Sequence, residues 1–334
     1  MAQANGREHY VHLTPGKLMG LRQITDAHGK FKVLALDQTG VFRDAFGRDK
    51  AAICQAKLAL TRVIGAHASS VLLDVPTSAR QSINTGDLPK GVGLIVRLEK
   101  GCSPGDYGFE ETGWSVAKIK RMGASAVKLL VYMDTDNEKY TNAQVEFVKR
   151  TCDACYENDI LLMTEELSFP RKDADEPDNK APKYLERRVR NILKSTELLG
   201  PWTDVLKLEF PGADHLKELN DIAIRPWVLL SAGVNFDVFE KQVEAAMRAG
   251  ASGIMAGRAI FKEWLDKGSE HFQSAAFLEG EAVRRIQRLN QLVDAYATSW
   301  QQRYHITRDD LAQAVDFGWY SWQAAEVPSA PGVY

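Results

Sequence analysis

The chain has 334 residues, 45% of them hydrophobic and 26% charged, enough apolar material for a large core in one or two domains. A net charge of −2 gives no electrostatic reason to expect nucleic acid or an anionic membrane surface as a partner. No apolar run approaches the roughly 18 residues of a membrane span, and the start "MAQANGREHYVHLTPGK" lacks the apolar core of a secretory signal, so a cytoplasmic protein is expected.

In chain order, residues 1–30 are expected to form a helical cap. Short apolar, β-branched runs then recur: "KVLALD" (32–37), "SVLLD" (70–74), "GLIVRL" (93–98), "AVKLLVY" (126–132), "ILLMTEE" (160–166), "DVLKLEF" (204–210), "WVLLSAG" (227–233) and "SGIMAG" (252–257). Between them lie segments such as "AAICQAKLALTRVIGAHA" and "FEKQVEAAMRAGA", with apolar residues three and four apart and a Gly or Ala-Gly end. Strands alternating with helices mean parallel pairing. Eight such units predict an α/β fold, a (β/α)8 TIM barrel over residues 31–265, with a C-terminal helical extension over 266–334 packed on it. An open doubly wound sheet would favour a Gly-rich turn after the first strand, and "ALDQTG" is not G-x-G-x-x-G.

Cys152 and Cys155 form a C-x-x-C pair, but they sit in "QVEFVKRTCDACYEND", whose periodicity is helical, with no second pair downstream. Two helix residues, one packed on the sheet, is the expected reading.

A barrel collects its active site at the C-terminal ends of its strands. Here those ends carry Asp37, Gln38, Asp74, Arg97, Lys128, Glu165, Glu166, Lys207, Glu209, Ser231 and Arg258. Lys207 stands between Leu206 and Leu208, where an unpaired ammonium costs several kcal/mol or loses its proton. A neutral amine attacks ketones to form an imine, an electron sink that lets an adjacent carbon–carbon bond break. Lys128 is expected to act as a second cation lowering the Lys207 pKa, or else to pair with a neighbouring carboxylate. Glu165 is expected to shuttle protons, with a pKa raised toward neutrality. Alternation puts Glu165 and Glu166 on opposite faces and Lys207 and Glu209 on the same one. The last two strands end in "LLSAGVN" and "IMAGRAIF", where Ser231, Gly233, Gly257 and Arg258 suit a phosphate.

These stretches resemble the class I tagatose-1,6-bisphosphate aldolases and their sulfofructose-phosphate aldolase relatives. The matching motifs are "LALDQ", "SSVLLD", "GASAVKLLVYMD", "LMTEE", "DVLKLEFP", "LLSAGV", "AGRA" and "ATSW", in order through roughly residues 30–300. The resemblance implies that Lys207 forms the imine and Glu165 handles protons. Lys128 and Asp37 would line the site, and Ser231, Gly233, Gly257 and Arg258 would hold the C1 phosphate of a ketose. Gln38, Asp74 and Arg97 join as candidate substrate contacts. A phosphorylated ketose substrate, no cofactor, no metal and a homo-oligomer are expected.

The chain departs from the family at Asp37-Gln38-Thr39, where members read D-Q-R, which removes a cation near the far end of the substrate. Arg80, Arg97, Arg171 and Lys172 are candidates to replace it. "DVPTSARQS" also replaces a D-P-E-Y-G type of ending, and an aromatic tail, "FGWYSWQAA", follows the barrel. Two other readings stay open. Asp37, Asp74, Glu165 and Glu209 would suit a metal-dependent barrel lyase or epimerase, although no histidine sits at a strand end. A non-catalytic metabolite sensor derived from an aldolase would keep the pocket and use the tail as its contact surface.

Overall fold

A computed structural model describes residues 13–101, 103–171, 176 and 178–313. Eight parallel strands close into one barrel in sequential order: β1 Phe31–Ala35, β2 Ser70–Leu73, β3 Gly93–Arg97, β4 Ala126–Met133, β5 Leu161–Ser168, β6 Val205–Leu208, β7 Trp227–Leu230 and β8 Gly253–Ala256. Helices alternate with the strands because the polar segments between them carry apolar residues at helical spacing, and side chains cap their starts. Asp49 accepts from the Ala51 and Ala52 amides before Lys50–Val63, and Asn137 accepts from Tyr140 before Glu138–Glu157.

Apolar side chains fill two layers. The outer layer packs strands against helices, with Leu34, Val71, Val96, Leu162, Leu206 and Leu229 meeting Phe239, Val243 and Ile286. The inner layer, with Val33, Leu72, Ile95, Met163, Val205, Val228 and Met255, fills the barrel and continues into its floor at Leu21, Ile24, Trp300 and Tyr304. Cys155 is buried in the outer layer and Cys152 half-buried, and burial pushes both thiols up, Cys152 to about 11. Such thiols resist forming the thiolates that metal or redox work requires.

The helix Pro15–Ile24 lies across the N-terminal strand ends, where the Ser69 and Ser70 hydroxyls donate to the Ile24 carbonyl. Gly20 permits this contact, since a Cβ there would sit 2.6 Å from the Ser125 carbonyl oxygen. The short helix Trp300–Arg303 closes the same end: the Trp300 amide donates to Gly29, and the Tyr304 hydroxyl donates to the Asp204 carbonyl at 2.7 Å. One end of the barrel is thus plugged. Among the described residues no helix is long and apolar enough to cross a membrane. The aromatic tail "FGWYSWQAA" and Lys172 lie outside the described residues.

Several strands, β6 and β7 among them, end earlier than the sequence suggests. β6 stops at Leu208 and β7 at Leu230. Strand alternation therefore does not extend to Glu209.

Candidate active site

Register brings the functional side chains together. Glu165 on β5 pairs with Lys207 on β6, and Arg97 on β3 pairs with Lys128 on β4. Partners at one register level of a parallel pair share a face, and all four face the barrel axis. They line a cleft of about 380 Å³ at the C-terminal strand ends, with Asp37, Gln38, Thr39, Glu99, Ser231, Gly257 and Arg258.

At its base Lys207 Nζ lies 2.9 Å from Glu165 Oε1, and Lys128 Nζ lies 2.7 Å from Glu165 Oε2. Lys128 also reaches Asp37 Oδ2 at 2.9 Å and Glu99 Oε1 at 2.8 Å. All five groups are buried. One carboxylate bridges two ammoniums, and the second ammonium is anchored by two further carboxylates.

That arrangement corrects one expectation, for Glu165, and matches the ion-pair alternative for Lys128. Burial alone would raise Glu165, but the Lys128 and Lys207 ammoniums outweigh it and hold the carboxyl below its usual range, not near neutrality. Lys128 is not a bare cation beside Lys207. Burial works against its charge, yet Asp37, Glu165 and Glu99 together hold its pKa well above the ordinary lysine value. Asp37 behaves like Glu165: burial opposes its charge, and Lys128, Lys207 and Arg97 keep it ionised. Burial raises the Glu99 carboxyl, against the pull of Lys128 and Arg97.

The opposite wall comes from β7 and β8. Ser231, Ala232, Gly233 and Val234 form a tight turn closed by the Val234 amide on the Ser231 carbonyl, with Ala232 at φ 46 and Gly233 at φ 78. A Cβ on Gly233 would lie 2.9 Å from Arg258 Cζ, so glycine is what lets the guanidinium lie against the turn. At Gly257 a Cβ would come within 2.6 Å of the Ala35 carbonyl and 2.8 Å of Gln38 Nε2, which keeps β8 tight against β1. Gln38 Oε1 is buried without a hydrogen-bond partner among the described residues. Arg258 lines the same cleft and makes no ion pair among the described residues.

Three residues fall elsewhere. Asp74 does not line the cleft: its side chain caps the turn after β2, accepts from Thr77 and Ser78, and pairs with the buried Lys57. Glu209 turns outward to Arg188 at 2.9 Å and accepts from the Ser168 amide at 2.8 Å. Glu166 is wholly buried in the same outer layer, taking weak bonds from Ser168 Oγ at 3.1 Å and Asn191 Nδ2 at 3.3 Å. Burial and the neighbouring Glu209 push it up to about 8. Glu99 is the residue that sequence reasoning missed. It lies two positions past Arg97, in "RLEK", just beyond the run read as a strand.

Comparison with known proteins gives concordant results. The family model described as "DeoC/LacD family aldolase" matches residues 31–263. A tagatose 1,6-diphosphate aldolase of Staphylococcus aureus (strain JH9) is 27% identical over 333 residues, covering 86% of this chain and 98% of that protein. Among solved structures, an archaeal fructose-1,6-bisphosphate aldolase superposes with a TM-score of 0.57 at 20% identity, over 83% of this chain and 99% of its own. The fructose-bisphosphate aldolase of Slackia heliotrinireducens gives a TM-score of 0.55 at 16% identity, over 86% and 92%.

Proposed function

The chain belongs to the DeoC/LacD aldolase family and is a carbon–carbon lyase, and from this premise we propose that it is a class I enzyme acting on a ketose 1-phosphate or 1,6-bisphosphate through an imine on Lys207. The observation that carries the proposal is the buried lysine held 2.9 Å from a carboxylate at the base of the cleft.

Glu165 takes a proton from Lys207, the free amine adds to the C2 ketone, and the carbinolamine loses water to give the imine. Glu165, an ionised carboxylate beside Lys207, takes and returns the protons this requires. Lys128 ties down Glu165 Oε2 and so aims Oε1 at Lys207. Cleavage of the C3–C4 bond sends its electron pair into the imine to form an enamine, while the C4 hydroxyl gives its proton to Glu165 and the fragment bearing C4 departs as an aldehyde. Protonation at C3 and hydrolysis release dihydroxyacetone phosphate and free lysine. Asp37 and Glu99 compensate the Lys128 charge, Arg258 and the Ser231–Gly233 turn hold the C1 phosphate, and the unpartnered Gln38 oxygen accepts from a substrate hydroxyl.

Assaying a panel of ketose phosphates tests this reading. It requires dihydroxyacetone phosphate to be released from at least one ketose 1-phosphate or 1,6-bisphosphate, at a rate unchanged by chelator. Turnover abolished by chelator would instead support a metal-dependent lyase.

A further inference from the structure

The family's D-Q-R stretch reads Asp37-Gln38-Thr39 here, so the first strand end supplies no cation. Of the four basic residues that could stand in, Arg171 pairs with Asp134 at 3.5 Å and Asp136 at 3.4 Å, beside a different cavity. Arg80 opens the helix Arg80–Thr85 and is not among the residues lining the cleft. Arg97 does line it. Its Nη1 donates to the Asp37 carbonyl at 2.7 Å and to Thr39 Oγ1 at 3.1 Å, so the guanidinium lies beside the threonine that stands where the family has arginine.

The rest of that guanidinium lies in the field of Glu99 and Asp37 but makes no further hydrogen bond among the described residues. Nε stands 4.0 Å from Glu99 Oε1, beyond hydrogen-bond range, and Nη2 makes no hydrogen bond among the described residues, although Arg97 is only 8% exposed. Neither nitrogen is among the buried polar atoms left without a partner, so both open toward the cleft, where a ligand or water can meet them. The adjoining wall leaves room: a Cβ on Gly40 or Gly101, both cleft residues, would meet nothing within 4 Å. Arg258 marks the opposite side of the cleft, after β8, whereas Arg97 ends β3. Two arginines from separate strand ends of one cleft, which Lys207 also lines, match a chain molecule anionic at both ends.

Resting on the aldolase reading above, we propose that Arg97 is a specificity-determining residue that receives an oxyanion, phosphate or sulfonate, at the end of the substrate opposite its C1 phosphate. Thr39 orients the guanidinium and leaves the space that a longer side chain would fill.

Steady-state rates with fructose 1-phosphate, tagatose 1,6-bisphosphate and 6-deoxy-6-sulfofructose 1-phosphate test the proposal. The wild type should favour at least one of the two doubly anionic substrates over fructose 1-phosphate by about 10-fold or more in kcat/KM, the equivalent of about 1.4 kcal/mol. Which one it favours identifies the oxyanion. Arg97→Gln should bring that ratio close to one, and Arg97→Lys should restore part of it, because lysine keeps the charge without the fork. A wild type that handles all three alike would overturn the assignment without any variant having to fold. So would a preference that Arg97→Gln leaves intact. Borohydride trapping with dihydroxyacetone phosphate, which has no far end, serves as the control: a labelled Lys207 alongside an absent preference sinks Arg97 alone, whereas an unlabelled Lys207 sinks the aldolase mechanism.

Discussion

Glu165 and Glu166 are neighbours in sequence, both buried, and their environments drive them in opposite directions. Glu165 faces the barrel axis between two ammoniums and is held ionised. Glu166 faces the helix layer, where Arg188 is already taken by Glu209 and Glu166 Oε2 has no hydrogen-bond partner among the described residues. Burial and the Glu209 charge keep Glu166 protonated up to about pH 8. One strand thus presents an ionised carboxylate on one face and a neutral acid on the other. What separates them is the direction of the Cβ vector rather than the residue type.

The most severe way to break the inner half is to remove the amine. Lys207→Ala should lose nearly all turnover, and Lys207→Arg should not rescue it, because a guanidinium keeps its proton. Turnover retained in either variant, measured with the best ketose phosphate, would place the nucleophile elsewhere.

The two glutamates can then be set directly against each other. Glu165→Gln keeps shape but cannot relay, and kcat should fall by about 10² to 10⁴, the usual reach of a general acid–base group. Glu166→Gln should leave kcat near the wild-type value. If the large loss follows Glu166→Gln instead, the wrong face of β5 has been given the chemistry.

A smaller effect is expected at the phosphate wall. Arg258→Ala should raise KM for phosphorylated ketoses by about 10-fold, as one charge-assisted contact contributes about 1.5–3 kcal/mol. A change confined to kcat would show that Arg258 does not hold the ground-state substrate.

The outer half of the comparison is tested by stability. Glu166 goes from an ordinary value of 4.5 to about 8 on folding, so the native state keeps a proton that the unfolded chain releases. Its contribution is fully present below about pH 4.5 and is lost as pH rises through about 8. The wild-type Tm should therefore fall over that interval relative to Glu166→Gln, by a few degrees. Parallel Tm curves for the two proteins would mean that Glu166 does not titrate in this way.

Much of this was legible from the residues. Strand and helix periods are properties of burial, and they placed all eight strands to within a few positions. Alternation stated the Glu165/Glu166 choice, but only the register with Lys207 resolves it. Asp74 sits at a strand end like the others, and nothing in its spacing reveals that Lys57, one helix earlier, reaches across to claim it. Glu209 escaped because β6 ends one residue before it, where the period of two no longer holds. Glu99 was passed over because a carboxylate after the last apolar residue reads as loop. Its role depends on Lys128, which comes from the next strand.

Mass analysis of Lys207 after borohydride treatment is the most direct test of the account. Enzyme incubated with dihydroxyacetone phosphate and then reduced should carry the ligand as a stable secondary amine on the peptide containing Lys207, and Lys207→Ala should carry none. An unmodified Lys207, or a label on Lys128 or any other lysine, would contradict it.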